Sequence, residues 1–411
     1  MGPDQMFLRD WFQRYYQSRP PKAPERLDRR EFGFMFFDRD FVQRHIGFNE
    51  PGQLHSFLQG QVPSHTYYSS AYYQFPAAGT MDEKKWLGAD LIFDLDADHV
   101  QGAEGLSYGD MLARIKVDLI RLIDDFLLGD LGFDASHLKI VFSGGRGYHI
   151  HVYDAKLSEL RSHERREIVD YIAGTDLNME WVFPERTTAA KSFRGNVQQS
   201  RVRNVPSPSS GGWRLRMRTG IIWLVEEMRS RDLEDLRGRL PTLAGTSDTI
   251  IEGMLRDLYT KSGTKEGAEL MLEGNSLSCF SDRRHVELFL RLLENEVKPR
   301  FTAEIDEPVT SDIKRLIRLP LSLHGKTGLR VTPMEREELS SFDPLRDAVP
   351  DIYPDNLVEV FVKKRSEVEL KGRKFLVEGR CEVPTYAAVF MIGRRIATLE
   401  MPEDARTGHP D

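Results

Sequence analysis

The sequence predicts a mixed α/β fold of the α+β class, with an α-helical insertion. Strand-like runs and one long amphipathic helix fill the first 160 residues, charged helical segments dominate from about 160 to 300, and strand-like runs then return. Helices repeat their apolar residues every 3.6 positions and half-buried strands every second position, so the two kinds of segment can be distinguished. At 411 residues, the chain is long enough for two or three domains.

Residues 1–160 are predicted to form the first part of a catalytic core. Helical spacing of apolar residues from Phe7 to Tyr15 is ended by the breakers of SRPPKAP, and REFGFMFF and LIFDLD follow as strands. Apolar side chains at three- and four-residue spacing predict a helix over 107–128, with Ser107 as its N-cap. LKIVF and YHIHVYD are predicted to be two strands joined by the glycine-rich SGGRG.

The rest of the chain is predicted as three segments. Residues 161–300 form a helical insertion with a basic loop, residues 301–360 the second part of the core, and residues 361–411 a C-terminal β-rich segment. In the last of these, RKFLVEGRCEVPTYAAVFMIGRRIATLE is interpreted as strand-like throughout.

Composition excludes several classes of protein. No apolar run approaches the roughly 20 residues of a membrane helix, and the N-terminus has no export signal, so we expect a cytoplasmic protein with no membrane partner. The two cysteines, Cys279 and Cys381, are far apart and not in metal-ligand spacing, which argues against a disulfide framework and a thiolate zinc site.

Local charge differs from the net charge of −7. Residues 186–218 hold eight basic and no acidic residues, a composition that attracts a polyanion such as a nucleic-acid backbone. The alternative is a mobile, solvated loop, because VPSPSSGG within it is rich in turn-forming residues.

Paired carboxylates end the LIFDLD strand. Strand alternation places Asp94 and Asp96 on one face with Ile92, where two like charges side by side favour a bound cation. A solvated strand end is the alternative explanation. Asp306, just upstream of a basic stretch at 312–328, is a further carboxylate.

Two glycine-containing stretches carry cationic groups. In SGGRGYHIH the glycines allow close backbone approach to an anion, Ser143 and Arg146 offer a hydroxyl and a guanidinium, and His149 shares a strand face with His151. The stretch 312–328 adds Arg318, His324 and other basic residues. A hairpin turn and a solvated basic strand end explain each stretch alone, but together with the carboxylates they suit nucleotidyl transfer with Mg²⁺ or Mn²⁺.

The stretches FDLDADH, FSGGRGYHIHV and RLIRLPLSLHGKTGL make the chain similar to the small, catalytic subunit of the archaeo-eukaryotic DNA primase. The resemblance implies a primase-type core in which three carboxylates bind metal and five residues contact the incoming nucleotide. The metal ligands and catalytic residues would be Asp94, Asp96 and Asp306, and the nucleotide-binding residues Ser143, Arg146, His149, Arg318 and His324. Glu31 and Arg44 would also line the site.

The chain departs from this family at two places. Many members have a cysteine-rich zinc module after the Asp-x-Asp strand, whereas residues 97–110 contain no cysteine, so structural zinc is not expected and His99 is interpreted as structural. Leu321 stands where relatives often have glycine.

The resemblance implies a primase that makes primers de novo on single-stranded DNA from nucleoside triphosphates, as a heterodimer with a large subunit, within the replication machinery. Alternatives left open are a repair-type primase-polymerase of the same superfamily, an Asp/His metallohydrolase using DADH and HIH, and a non-catalytic nucleic-acid-binding module.

Overall fold

The computed structural model describes residues 1–96, 106–191 and 197–400. Asp98, His99 and most of the cysteine-free loop after the Asp-x-Asp strand lie outside these residues. The chain forms two compact units, one of residues 1–121, 133–169 and 304–411, which we call the core unit, and one of residues 122–132 and 170–303, the helical unit. Each is described by itself.

The α-helices have the following bounds: α1 Pro3–Ser18, α2 Pro51–Gln61, α3 Tyr108–Arg121, α4 Ser162–Ala173, α5 Met179–Val182, α6 Gly212–Met228, α7 Leu233–Arg239, α8 Asp248–Tyr259, α9 Gly267–Gly274, α10 Arg283–Leu292, α11 Lys298–Phe301, α12 Glu307–Ser311, α13 Pro344–Asp347 and α14 Thr385–Gly393. Two segments have π-helical hydrogen bonding, Leu122–Asp130 and Leu293–Val297.

The strands have the following bounds: β1 Phe32–Met35, β2 Gln43–Ile46, β3 His65–Ser69, β4 Ala71–Tyr73, β5 Trp86–Ala89, β6 Leu91–Asp96, β7 Leu138–Phe142, β8 Gly147–Val152, β9 Glu185–Lys191, β10 Val197–Arg203, β11 Lys261–Ser262, β12 Lys265–Glu266, β13 Leu316–Arg318, β14 Thr332–Met334, β15 Leu357–Leu370, β16 Arg373–Pro384 and β17 Ala397–Thr398.

Two four-stranded antiparallel sheets organise the core unit. One has the order β14-β7-β8-β6 and the other β13-β3-β1-β2. Ile92 on β6 packs into the same apolar cluster as residues of β1, β3 and β13, so one face of the first sheet is directed at the second. Tyr68 and His151 stack with ring centroids 6.4 Å apart and join the two sheets through a 3.5 Å hydrogen bond. The prediction of a mixed α/β fold is confirmed.

The long amphipathic helix α3 begins directly after Ser107, the residue predicted as its N-cap. The backbone N–H of Asp110 donates to the Ser107 hydroxyl at 3.1 Å, which satisfies one of the free donors of the first turn. The chain stays helical through Asp130, but its hydrogen bonding changes from α to π at Leu122. Leu112, Ile115 and Leu119 are buried, as their spacing predicts.

The C-terminal segment differs from the prediction. Residues 357–384 form a long hairpin of β15 and β16, but TYAAVFMIG, interpreted as strand-like, is the helix α14. Every residue from Thr385 to Ile392 is buried. A helix that is apolar on all sides has no alternation between polar and apolar faces, so the sequence contained no periodic signal for it.

The helical unit packs its helices around a separate apolar cluster. The basic segment 186–218, expected to be a loop, is largely β9, β10 and the start of α6. Three of its arginines are held by the unit itself: Arg203 pairs with Glu185, Arg216 with Asp130, and Arg218 donates to Asn275 and to the carbonyls of Pro206 and Leu272. For these side chains a mobile, solvated loop is wrong.

Within the described ranges, no helix is both long enough and apolar enough to cross a bilayer.

Candidate active site

Three carboxylates meet at the end of β6. Asp94 and Asp96 project from the face that carries Ile92, and Asp306 is the N-cap of α12, where its carboxylate accepts from the Val309 N–H at 3.2 Å. The Asp306 N–H donates to the Asp94 carbonyl at 2.9 Å, which ties the start of α12 to β6. Residues separated by more than 200 positions in the sequence are thereby neighbours.

The three carboxylates also influence one another electrostatically. Burial, together with the charges of Asp96 and Asp306, raises the pKa of Asp94 to about 7, while Arg315 and Arg318 act in the opposite direction. Only 16% of the Asp94 side chain is exposed. The site therefore concentrates negative charge with little water to screen it, an arrangement that a cation relieves.

The donor chemistry fits Mg²⁺ or Mn²⁺. Carboxylate oxygens suit these hard cations, whereas zinc prefers nitrogen and sulfur. Among the residues the structure describes, no three His, Cys, Asp or Glu side chains are arranged as a ready-made metal cage. Mg²⁺ commonly uses one or two carboxylates and completes its shell with water and substrate phosphates, so a protein cage is not needed.

His149 lies directly across from Asp94. The two residues are paired between β8 and β6, and His149 Nε2 is 3.4 Å from Asp94 Oδ1. Burial lowers the pKa of His149 well below its usual value, assisted by His151, Arg318 and Arg315. Its Nδ1 is buried without a hydrogen-bond partner. The ring is therefore a neutral imidazole at physiological pH.

The SGGRG turn places backbone donors beside the acids. Ser143 Oγ accepts from the N–H groups of Gly145 and Gly147 at 3.2 and 3.3 Å, and Gly144 has φ +74°, a region that favours glycine. A Cβ on Gly147 would overlap the Leu95 carbonyl, because this end of β8 lies against β6 next to Asp96. Arg146 at the tip is exposed.

His324 joins this turn to the second loop. A Cβ on Gly145 would lie 2.9 Å from His324 Nε2, and Thr327 Oγ1 donates to the Gly144 carbonyl at 2.6 Å. Burial lowers the pKa of His324 well below its usual value, with Arg318 as the next cause. The two glycine-containing loops, SGGRG and residues 324–328, therefore pack against each other.

Comparisons with known proteins show which family this chain resembles. Residues 93–336 match the family model described as DNA primase small subunit. Among curated relatives, "DNA primase small subunit PriS" of Methanocella arvoryzae is 40% identical over 96% of this chain and 98% of its own length. The proteins of the same name from Methanosarcina acetivorans and Halorubrum lacusprofundi are each 38% identical, covering 95% and 94% of this chain and 95% and 96% of their own lengths.

This chain belongs to the DNA primase small subunit family. The resemblance predicted from three sequence stretches is confirmed, and with it the prediction of a nucleotidyltransferase.

His65, which the sequence analysis did not predict, lies at the candidate site. Arg318 Nη1 lies 2.6 Å from His65 Nδ1, and its guanidinium is 5.1 Å from the Tyr67 ring centre. The His65 and His324 rings meet edge to face with centroids 4.8 Å apart. A single histidine in the HTYYS strand gave no signal for this, because strand pairing between β3 and β13 creates the contact.

Leu321 occupies a position that favours glycine. Its φ is +65°, in the left-handed region that residues with a Cβ rarely adopt. Its N–H donates to the Val331 carbonyl and its carbonyl accepts from Tyr15, which hold it there. The positive φ at this position explains why glycine is expected there in other primase small subunits.

Glu31, which the resemblance places along the site together with Arg44, is fully buried and held by basic groups. It is bound by Arg44 through two contacts of 3.1 Å, by Lys84 at 3.2 Å and by the His45 N–H at 3.1 Å. Arg44 is partly exposed, so of the two residues only Arg44 has a side chain that solvent can reach.

Proposed function

We propose that this chain synthesises short primers de novo on single-stranded DNA by two-metal nucleotidyl transfer, as the catalytic subunit of a DNA primase. One observation carries the proposal: the carboxylates of Asp94, Asp96 and Asp306 meet beside two glycine-containing loops that His324 packs together. That arrangement supports a cation site beside a triphosphate site.

The three carboxylates would hold Mg²⁺ or Mn²⁺. When bound, the cations neutralise phosphate charge and make the attacking 3′-hydroxyl more acidic. The protein's own part is to hold the acids close together: α12 is tied to β6 through the Asp306–Asp94 backbone bond, and β8 supports β6 from the other side. Because the Asp94 side chain is only 16% exposed, its charge acts more strongly on a bound ligand than it would in water.

Five residues would hold the triphosphate. Ser143 organises the SGGRG backbone, and Arg146 and Arg318 supply guanidinium groups that match phosphate geometry. His149 and His324 are neutral, so each can donate one N–H to a phosphate oxygen without adding charge. Together these groups would orient the α-phosphate for in-line attack and release of pyrophosphate.

The proposed partners are a single-stranded DNA template, nucleoside triphosphates and a primase large subunit in a heterodimer. This activity belongs with the replication machinery in the cytoplasm.

The test is primer synthesis without an added primer. Wild-type protein with single-stranded template, Mg²⁺ or Mn²⁺ and either ribo- or deoxyribonucleotides is expected to yield oligomers, and Asp94→Asn with Asp96→Asn to yield none. Asp38→Asn with Asp40→Asn is the matched control, because it alters a second, exposed Asp-x-Asp pair. Oligomers from the Asp94/Asp96 variant, or equal loss in the control, would refute the assignment.

A further inference from the structure

The C-terminal helix α14 packs against the second loop of the candidate site. A Cβ on Gly393 would lie 3.0 Å from the carbonyl carbon of Lys326 and 3.1 Å from its oxygen. A Cβ on Gly328, whose φ is +68°, would overlap Val389 of the helix. At these two glycines there is no room for a side chain between α14 and the 324–328 loop, so the helix packs directly against that loop.

The residue after α14 reaches the first loop through a tyrosine. The Arg394 guanidinium lies 4.2 Å from the Tyr108 ring centre, and Tyr108 meets Phe390 of α14 edge to face, with centroids 5.7 Å apart. The Tyr108 hydroxyl donates to the Gly145 carbonyl. Arg394, Tyr108 and the SGGRG turn thus form one continuous chain of contacts.

This series of contacts lies near Asp96, one of the proposed catalytic carboxylates. Burial raises the pKa of Tyr108 to about 12, Arg394 and Arg146 both lower it, and Asp96 raises it. The phenol is therefore within electrostatic reach of a catalytic carboxylate and of the arginine at the tip of the turn. It also stays protonated at physiological pH, as donation to Gly145 requires.

We infer that Arg394 is a positioning residue of the nucleotide site, acting through Tyr108 to hold the SGGRG turn in the geometry that binds the triphosphate. The inference rests on the proposed function. Cation–π contact with Arg394 fixes the ring, and the ring fixes the Gly145 carbonyl. A fixed Gly145 in turn orients the neighbouring backbone N–H groups and Arg146. Because α14 also supports the 324–328 loop, one helix sets the separation of both loops.

This role predicts a specific kinetic change. If the turn binds the ground-state triphosphate, loosening it weakens nucleotide binding more than it slows chemistry. Arg394→Met is expected to raise the KM for the incoming nucleotide by about five- to tenfold, with kcat within about twofold, the scale of one or two lost contacts. A role limited to folding would lower the active fraction, and hence kcat, without changing KM.

Three further variants serve as comparisons for Arg394→Met. Arg395→Met removes an exposed arginine one residue further on and is expected to keep the wild-type KM. Arg394→Lys keeps the charge and is expected to recover part of the affinity. Tyr108→Phe keeps the ring and removes only the hydroxyl, and its effect should not add to that of Arg394→Met, because both act through one contact. Should Arg394→Met fail to fold, Tyr108→Phe alone decides, because it must then raise KM.

Unchanged KM in both Arg394→Met and Tyr108→Phe, an equal rise in Arg395→Met, or a loss in kcat alone would overturn the inference. Failure of the proposed function would look different, because the wild-type protein would then make no primer, or the Asp94/Asp96 variant would still make it.

Discussion

Arg30 forms a buried ion pair with Asp90, the residue that immediately precedes β6. Removing this pair tests whether it stabilises the core unit around the strand that carries Asp94 and Asp96. Arg30 Nη2 is 2.7 Å from Asp90 Oδ2, and the two side chains are 1% and 5% exposed. Arg30 also donates to the carbonyls of Ser69 and Ser70 and to the Tyr72 hydroxyl, and its guanidinium lies 4.1 Å from the Tyr72 ring centre. Arg30→Met therefore removes the cation from a buried carboxylate whose remaining side-chain hydrogen bond, within the part of the chain that the structure describes, comes from the Tyr72 hydroxyl.

The expected cost follows from that geometry. Removing one partner of a buried ion pair costs about 3–5 kcal/mol, because the remaining charge stays desolvated. Arg30→Met with Asp90→Leu should recover much of the loss, since no charge remains buried.

Hydrogen exchange resolved to β4, β5 and β6 measures this, because it reports the core unit without assuming that both units unfold together. Arg29→Met is the control: Arg29 is partly exposed and pairs with the exposed Asp28, so its loss should change the free energy of unfolding by no more than about 0.5 kcal/mol. A loss below about 1 kcal/mol for Arg30→Met, or the same loss in Arg29→Met, would show that the pair does not stabilise β6.

Three further outcomes are expected. Gly147→Ala should lower the rate of primer synthesis by roughly 10- to 100-fold at the same template concentration. The reason is that the alanine Cβ overlaps the Leu95 carbonyl and displaces β8 beside the acids. A wild-type rate would contradict this. Leu321→Gly should leave the unfolding midpoint in urea nearly unchanged, whereas Leu321→Ile, of equal volume, should cost about 1–2 kcal/mol at φ +65°; equal midpoints would show no backbone strain. In the helical unit, Asp257 is partly desolvated, which raises its pKa, but hydrogen bonds from Ser281 and His285 outweigh this and lower it overall. A lowered pKa means that the Asp257 carboxylate stabilises the folded protein above the pKa it has in the unfolded chain, and that this stabilisation is lost as pH falls. Acid titration followed by circular dichroism should therefore show less destabilisation below about pH 4 in Asp257→Asn than in wild type.

The sequence by itself determined the local elements and the chemistry of several side chains. Strand alternation was enough to place Asp94 and Asp96 on one face with Ile92, and Ser107 marked the helix start, because both features depend on neighbouring residues only. The three motif stretches were sufficient to identify the family. Local pattern did not predict α14, since a helix buried on every side has no amphipathic period.

Only the tertiary structure decided which of these groups meet. Asp306 reaches Asp94 through a backbone bond, His65 reaches Arg318 through strand pairing, and Arg394 reaches the SGGRG turn through Tyr108. Each contact joins residues far apart in the chain, so no periodicity or spacing encodes it. The position of Leu321 shows the same division: the resemblance indicated that glycine is usual there, but the reason is a φ of +65° that the surrounding hydrogen bonds impose. Such contacts depend on sheet order and packing, which are properties of the whole chain.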